Sequence, residues 1–264
     1  MNHPETLPLA GRGIVITRPR EAAERLAHRI VAAGGRSFVF PALEIVPLPE
    51  TPHLAGLIDR LESFELAVFI SANAVEHGCA AVLKRRAWPA RTRCAAVGAA
   101  TRGALQARGF REVIAPSEQF DSDALLALPE LQRVAGMRIV IFRGEGGRER
   151  LAEVLRERGA TVEYAVSYRR LQPAADPEPL LRNWRHGSIH AVSAMSAESL
   201  NNFYAMLTDE GRALLYSTAI FVPHVRIAER ASELGIKEVH VTGPSDDALI
   251  EKLIDVLCSR KPTP

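Results

Sequence analysis

The stretch AGRGIVITR at residues 10–18 occurs a second time as AGMRIVIFR at residues 135–143. Both copies read AGxxIVIxR, and the second begins 125 residues after the first (135 − 10). Further matches follow in the same order at nearly the same offset: Glu24-Arg25-Leu26 with Glu149-Arg150-Leu151, Gly34 with Gly159, Ser71-Ala72 with Ser196-Ala197, Gly109 with Gly235, and Asp123-Ala124-Leu125 with Asp247-Ala248-Leu249. A period of this length is too long for a solenoid repeat. We infer an internal duplication of one domain, with copies at about residues 9–130 and 134–258.

Each copy alternates short apolar runs, typical of buried strands, with amphipathic segments, typical of helices. The predicted strands are Ile14–Thr17, Leu66–Ile70, Arg93–Val97, Ile139–Phe142, His190–Ala194 and Ala219–Val222. The predicted helices are 20–33, 72–86, 99–108, 146–158, 197–207 and 225–234. Gly34-Gly35, Gly109 and Gly235 stand where helices end, as left-handed C′ residues do. The pattern predicts an α/β protein with two doubly wound, parallel-sheet domains of the flavodoxin or Rossmann type.

Composition narrows the class of protein. The chain has 264 residues, 47% apolar and 24% charged, which suits a globular protein with a sizeable core. A net charge of +2 is small for a nucleic-acid-binding protein. No apolar run is long enough to span a membrane, and the first residues do not resemble a secretory signal. We therefore expect a cytoplasmic monomer that binds neither nucleic acid nor membrane.

The three cysteines, Cys79, Cys94 and Cys258, form no CxxC pair, which argues against a disulfide framework and against a zinc site. Gly144-Glu145-Gly146-Gly147 resembles the start of a dinucleotide fingerprint, but Glu149 stands where the third glycine belongs. There is also no GxxxxGK[ST] loop, no GxSxG elbow and no HExxH motif. We expect no metal and no organic cofactor.

Ligands of such sheets bind beyond the carboxyl ends of the strands, at helix N-termini. Ser71 and Ser196 follow strands and could cap helices or offer a hydroxyl to an anion. Arg18 and Arg143 also follow strands, and each could hold a ligand carboxylate or pair with a neighbouring acid. The other junctions that could contact a ligand include Gly98, Thr101, Gly144 and Arg226. Two lobes with such junctions suggest a clamp for a small anionic molecule, either an enzyme or a receptor.

In order along the chain, these junctions resemble those of the uroporphyrinogen-III synthase family. The matching segments are ITRP at Ile16–Pro19, Pro41, FISANAV at Phe69–Val75, AVGAAT at Ala96–Thr101, Gly109, Arg143-Gly144 with Gly147-Arg148, Gly159-Ala160 leading to Tyr168, SAMSAESL at Ser193–Leu200, and Ser245–Leu249. One segment departs from the family: Pro223-His224-Val225-Arg226 stands where members often carry a glycine-threonine turn, so Arg226 would replace a hydroxyl contact with a charged one.

The resemblance implies an exchange of the first β-α-β units between the copies. One lobe would combine residues 1–40 with 171–264, and the other would be residues 43–168. Two antiparallel connectors, near Pro41–Pro47 and Val166–Pro173, would form a two-stranded hinge.

The resemblance also implies a cyclising lyase without cofactor. Its substrate would be hydroxymethylbilane, a linear tetrapyrrole with eight carboxylates, which loses water and closes with its last pyrrole ring inverted. Tyr168 would face the site as a general acid, or else pack at the hinge with its hydroxyl bonded to backbone. The alternative function is a non-enzymatic bilobal receptor for a small anion.

Overall fold

The computed structural model describes residues 7–118, 121–147 and 149–259. The chain divides into two compact units, Met1–Glu44 with Leu171–Pro264, and Ile45–Arg170. It therefore passes from one unit to the other twice, at Glu44–Ile45 and at Arg170–Leu171. Within the described ranges, every helix is too short or too polar to cross a lipid bilayer.

Strands and helices alternate along most of the chain. The strands are β1 (Gly13–Ile16), β2 (Arg36–Val39), β3 (Glu44–Pro47), β4 (Leu66–Phe69), β5 (Arg93–Ala96), β6 (Val113–Ile114), β7 (Arg138–Gly144), β8 (Thr161–Leu171), β9 (Ala191–Ser193), β10 (Ala219–Val222) and β11 (Val239–Val241). The helices are α1 (Arg20–Ala32), α2 (Pro52–Asp59), α3 (Ala72–Arg85), α4 (Ala99–Ala107), α5 (Ser122–Ala127), α6 (Pro129–Gln132), α7 (Arg150–Glu157), α8 (Glu178–Arg185), α9 (Ala197–Met206), α10 (Asp209–Tyr216), α11 (Val225–Glu233) and α12 (Asp246–Cys258).

The sheet of the first unit has the strand order β11-β10-β9-β1-β2, and its neighbouring strands run parallel. The sheet of the second unit has the order β3-β8-β7-β4-β5-β6, and its strands from β8 to β6 run parallel. The prediction of an α/β protein with mostly parallel sheets is confirmed.

The two sheets share one spatial arrangement. Five strands correspond between the two copies of the sequence repeat: β1, β2, β4, β5 and β6 in the first copy, and β7, β8, β9, β10 and β11 in the second. When these strands are numbered 1 to 5 within their own copy, β2-β1-β9-β10-β11 and β8-β7-β4-β5-β6 both have the order 2-1-3-4-5. Each sheet thus joins the first two strands of one copy to the last three strands of the other. This shared flavodoxin-like order supports the internal duplication, which stays a prediction.

Both sheets are covered by apolar side chains on their two faces. In the second unit, Phe69 and Phe142 pack on one face while Val68 and Ile141 pack on the other. The central strands β1, β4, β9 and β10 are buried along their whole length. This explains why their sequences are nearly continuous apolar runs without an exposed polar side.

The predicted strands and helices lie where the sequence placed them, within one or two residues, with one correction. Gly34, Gly109 and Gly235 follow helix ends with φ near +90°, as C′ glycines do. The helix predicted over 146–158 begins only at Arg150. Gly146 (φ +67°) and Gly147 (φ +106°) leave the helical region, because this segment forms a loop around the Arg143 side chain.

Candidate active site

The second unit contains a pocket of about 400 Å³ at the carboxyl ends of its strands. Ile70 and Val97, which directly follow β4 and β5, form one part of its wall. The end of β7 and the glycine-rich loop after it form another part. The remaining lining residues are Ser122, Ile141, Leu151, Ala152, Tyr164, Tyr168 and Arg170. This is the edge of a parallel sheet at which ligands of doubly wound folds bind.

Tyr168 packs against the end of β7 in the wall of this pocket. Its side chain is 1% exposed, and its hydroxyl lies 3.0 Å from Ser71 Oγ. Gly144 pairs with Tyr168 across the sheet, and a Cβ at Gly144 would lie 2.6 Å from the tyrosine Cε2. A glycine is therefore required at position 144 for the ring to lie flat against the strand.

Arg143 brings a positive charge into the same pocket with very little exposure to solvent. Its side chain is 5% exposed, and its Nη1 donates to Glu149 Oε1 over 2.8 Å. Nη2 donates to the carbonyl oxygen of Gly146, while Nε has no hydrogen-bond partner within the described part of the chain. The guanidinium carbon lies 4.6 Å from the centre of the Tyr164 ring, a cation–π distance.

Glu149 is held by two groups at once. Its second carboxylate oxygen accepts a hydrogen bond from the Tyr164 hydroxyl. That bond, and after it the hydrogen bond from Arg143, lowers the pKa of Glu149 from its ordinary value. The pKa of Tyr164 is raised, first by burial and then by its bond to the Glu149 carboxylate. Arg143, Glu149 and Tyr164 therefore form one charged network beside the pocket, with the carboxylate ionised at neutral pH.

Substitution of the two loop glycines tests whether the backbone conformation of this loop positions the network. We expect Gly147→Ala to lower the free energy of unfolding by about 1–3 kcal/mol, because φ +106° is strained for alanine. Its Cβ would also lie 2.7 Å from Arg143 Nη2 and push the guanidinium aside. The matched control is Gly146→Ala, where a Cβ meets open space and φ +67° lies close to the left-handed helical region. Thermal unfolding compares the two, and an equal or smaller loss in Gly147→Ala would contradict this geometry.

Two helix N-termini lie next to the pocket strands. Ser71 caps α3 by accepting from the Ala74 amide over 3.1 Å, and the same hydroxyl reaches Tyr168. Gly98 is the N-cap of α4, and no side chain within the described residues caps this helix. Thr101, in the first turn of α4, is buried. The amide groups at the start of α4 are therefore open to an anion, whereas those of α3 are partly satisfied.

The first unit carries the remaining residues predicted for the site. Arg18 donates to Asp246 Oδ1 over 2.6 Å and is 14% exposed, so it is paired with an acid of the α12 N-terminus. Ser196 caps α9 by accepting from the Ser199 amide over 3.0 Å. Arg226 is exposed in the first turn of α11, and its amide donates to His224 Nδ1 over 3.1 Å. His224 thus caps α11 in the segment where family members often carry a glycine-threonine turn.

The structure brings three predicted residues, Arg143, Gly144 and Tyr168, into one pocket, with Ser71 bonded to the tyrosine. It also adds Glu149, Tyr164, Ser122 and Arg170, which sequence reasoning did not assign to the site. Glu149 was noted only as part of the repeat and as the residue that breaks a dinucleotide fingerprint. Arg148, part of the sequence resemblance, lies outside the described residues.

The cysteines contribute no chemistry to this pocket. Burial raises the pKa of Cys79 to about 11 and that of Cys94 to about 12, so both stay protonated at neutral pH. Cys258 is exposed, and the three thiols form no disulfide within the described part of the chain. Cys79 and Cys94 act as small apolar residues of the core.

The chain is similar in sequence to the members of one enzyme family. Residues 24–251 match the family model described as uroporphyrinogen-III synthase HemD. The uroporphyrinogen-III synthase of Salmonella typhimurium is 34% identical over 91% of this chain and 99% of its own length. The Escherichia coli enzyme is 31% identical over the same shares. The chain belongs to the uroporphyrinogen-III synthase family.

Two solved structures show the same fold at low sequence identity. A mutant uroporphyrinogen III synthase from Thermus thermophilus matches with a TM-score of 0.59 and 18% identity, covering 94% of this chain and 100% of that chain. The enzyme from Helicobacter pylori matches with a TM-score of 0.57 and 16% identity, covering 93% and 99%. Family membership makes this chain an enzyme of the lyase class in tetrapyrrole biosynthesis, and this decides against the non-enzymatic receptor.

Proposed function

We propose that this enzyme converts hydroxymethylbilane to uroporphyrinogen III, and that the pocket of the second unit binds part of the substrate. The reaction removes one water molecule, inverts the last pyrrole ring and closes the macrocycle. The observation that supports the pocket's role is Arg143, a buried guanidinium at the carboxyl end of a central strand. A polycarboxylate is the kind of ligand that such a group binds well.

The substrate carboxylates would be held by backbone amides together with a few side chains. The amides at the start of α4, beside Gly98 and Thr101, carry part of the helix dipole and have no side-chain cap within the described residues. Arg143, near the end of β7, supplies a further donor in the pocket wall. With a net charge of only +2, the enzyme depends on such local donors rather than on bulk attraction.

The first unit would contribute through Arg18, Ser196 and Arg226. Arg226 is exposed, so its guanidinium can meet a carboxylate without breaking a buried contact. Arg18 would first have to release Asp246. Ser196 would act through the N-terminus of α9, which it caps.

Tyr168 would be the general acid. The bond between the hydroxymethyl carbon and its oxygen breaks as the pyrrole nitrogen supplies electrons, and the phenol proton converts the leaving hydroxide to water. The tyrosinate takes back the proton that ring closure releases. A phenol O–H is a proton donor, and Ser71 beside it can hold the hydroxyl in place.

Ser71 would also help to hold a substrate carboxylate through its hydroxyl, so Ser71→Ala should weaken substrate binding only modestly. Loss of one neutral hydrogen bond costs about 1 kcal/mol, which corresponds to an increase in KM of about fivefold. Ser245→Ala is the matched control, because Ser245 caps α12 with the same geometry, accepting from Ala248 over 3.1 Å. Both variants should lose about 1 kcal/mol of stability, but only Ser71→Ala should change KM. Complete loss of binding in Ser71→Ala would show that one anchor, rather than many amides, holds the substrate.

The catalytic proposal is tested by the rate at which freshly made hydroxymethylbilane disappears. Free bilane closes without an enzyme, so the spontaneous rate is measured in parallel. We expect consumption in proportion to protein concentration and well above that rate. Consumption at the spontaneous rate would refute the proposal.

We further propose that the enzyme acts as a monomer in the cytoplasm. The two compact units would be the two lobes, with residues 41–47 and 166–173 as the connecting hinge. The two chain crossings, at Glu44–Ile45 and Arg170–Leu171, support this division.

A further inference from the structure

In the described structure, Arg143 is already bound by a carboxylate of the same chain. Its guanidinium is 5% exposed, whereas Glu149, its partner, is 51% exposed. Arg143 lines the pocket, and Glu149 contacts it from the side that faces solvent. Because about half of the Glu149 side chain is already exposed, turning it to water costs little once another anion takes its place at Arg143.

The remaining contacts of Arg143 leave room for a second acceptor. Nη2 is used by the Gly146 carbonyl, and the face of the guanidinium lies on Tyr164. Nη1 is used by Glu149, and Nε is buried without a partner within the described residues. A carboxylate that approached from the pocket could accept a hydrogen bond from Nη1, provided that Glu149 released it.

Arg18 corresponds to Arg143 in the internal repeat, but its acidic partner comes from a different part of the fold. Arg18 pairs with Asp246, which is carried by the first turn of the long helix α12. The repeat matches Asp247-Ala248-Leu249 with Asp123-Ala124-Leu125, so Asp246 corresponds to Ser122. Ser122 has no charge and lines the pocket. In the second unit, therefore, the acid that neutralises the arginine comes from the glycine-rich loop instead of from a helix across the sheet edge.

We propose that Glu149 is a resident carboxylate that a carboxylate of the substrate displaces from Arg143. This inference rests on the proposed function of the pocket. In the free enzyme Glu149 neutralises the buried arginine. In the complex a substrate carboxylate takes over Nη1, while Glu149 keeps its bond to the Tyr164 hydroxyl or turns to solvent. Glu149 thereby sets the affinity of the site, because every carboxylate that enters must compete with it.

The test compares Glu149→Gln with Glu153→Gln. Both changes remove one negative charge from the same segment, but Glu153 is exposed on the first turn of α7 and is not among the pocket-lining residues. We expect Glu149→Gln to lower KM for hydroxymethylbilane about three- to tenfold, because a neutral amide competes less well for Arg143 and does not repel the incoming anion. Glu153→Gln should leave KM unchanged.

Two results would overturn the proposal. A higher KM in Glu149→Gln would show that Glu149 holds Arg143 in place for the substrate. An equal fall in KM in both variants would show a general effect of charge. Equilibrium binding of uroporphyrin I, a stable porphyrin with eight carboxylates, provides a readout that does not depend on turnover. If wild-type protein did not turn over bilane but Glu149→Gln still bound this probe more tightly than Glu153→Gln, the proposed function would fail while the displacement of Glu149 stood.

Discussion

Replacing Tyr168 with phenylalanine should lower the turnover of hydroxymethylbilane at least tenfold. A positioned general acid contributes about 10²–10⁴-fold to a rate, and here the substrate's own pyrrole nitrogen assists, so the lower end of that range or below is expected. The ring would keep its place against Gly144, since only the bond to Ser71 is lost. The effect should therefore appear in kcat, while KM changes little.

The control for this variant is Tyr204→Phe, which loses a comparable hydroxyl contact to Tyr216 over 2.8 Å in the other unit. Its turnover should equal that of the wild type. The macrocycle made by Tyr168→Phe should still be the type III isomer, because ring inversion depends on how the substrate is held. Near-normal turnover in Tyr168→Phe would remove this residue from the mechanism and leave substrate positioning as the explanation.

Arg143→Met should raise KM for hydroxymethylbilane by at least about tenfold. A hydrogen bond to a charged group contributes about 1.5–3 kcal/mol, and about 1.4 kcal/mol corresponds to a tenfold change. The variant also leaves the charge of Glu149 beside the pocket without its cation, and that charge repels a carboxylate. Methionine retains the apolar length of the side chain against the Tyr164 ring.

Arg156→Met is the matched control for this change. Arg156 also lies over the Tyr164 ring, at 5.5 Å, and its Nη2 donates to the Val162 carbonyl, but it is not a pocket-lining residue. Steady-state kinetics of both variants should show a raised KM for Arg143→Met alone. A KM within twofold of the wild type in Arg143→Met would show that the substrate does not use this pocket.

The sequence predicted the fold well because local signals agreed with one another. Short apolar runs such as Leu66–Phe69 are typical of strands buried on both faces, and a glycine such as Gly109 marks a helix end through its left-handed backbone. The strand order needed more than local pattern. The order depends on which copy of the repeat supplies each strand. The family resemblance gave the expectation that the two copies exchange their first β-α-β units.

The candidate site was predictable only in part. Arg143 was found because it stands near a strand end, where ligands of this fold bind, and Tyr168 was found because the family resemblance implied it. The network of Glu149 and Tyr164 was not found, since it depends on two glycines that delay α7 and on the register that places Tyr164 beside Arg143. The pairing of Arg18 with Asp246 joins residues that are 228 positions apart, and sequence left it open against a ligand contact.

The most direct test of the proposed function is the isomer composition of the macrocycle formed from freshly prepared hydroxymethylbilane. Porphyrins obtained from reactions with and without the protein are separated by chromatography after oxidation. We expect mainly the type III isomer with protein present and the type I isomer in its absence. Type I product alone, at any protein concentration, would contradict the assignment of this chain as an enzyme that inverts the last pyrrole ring.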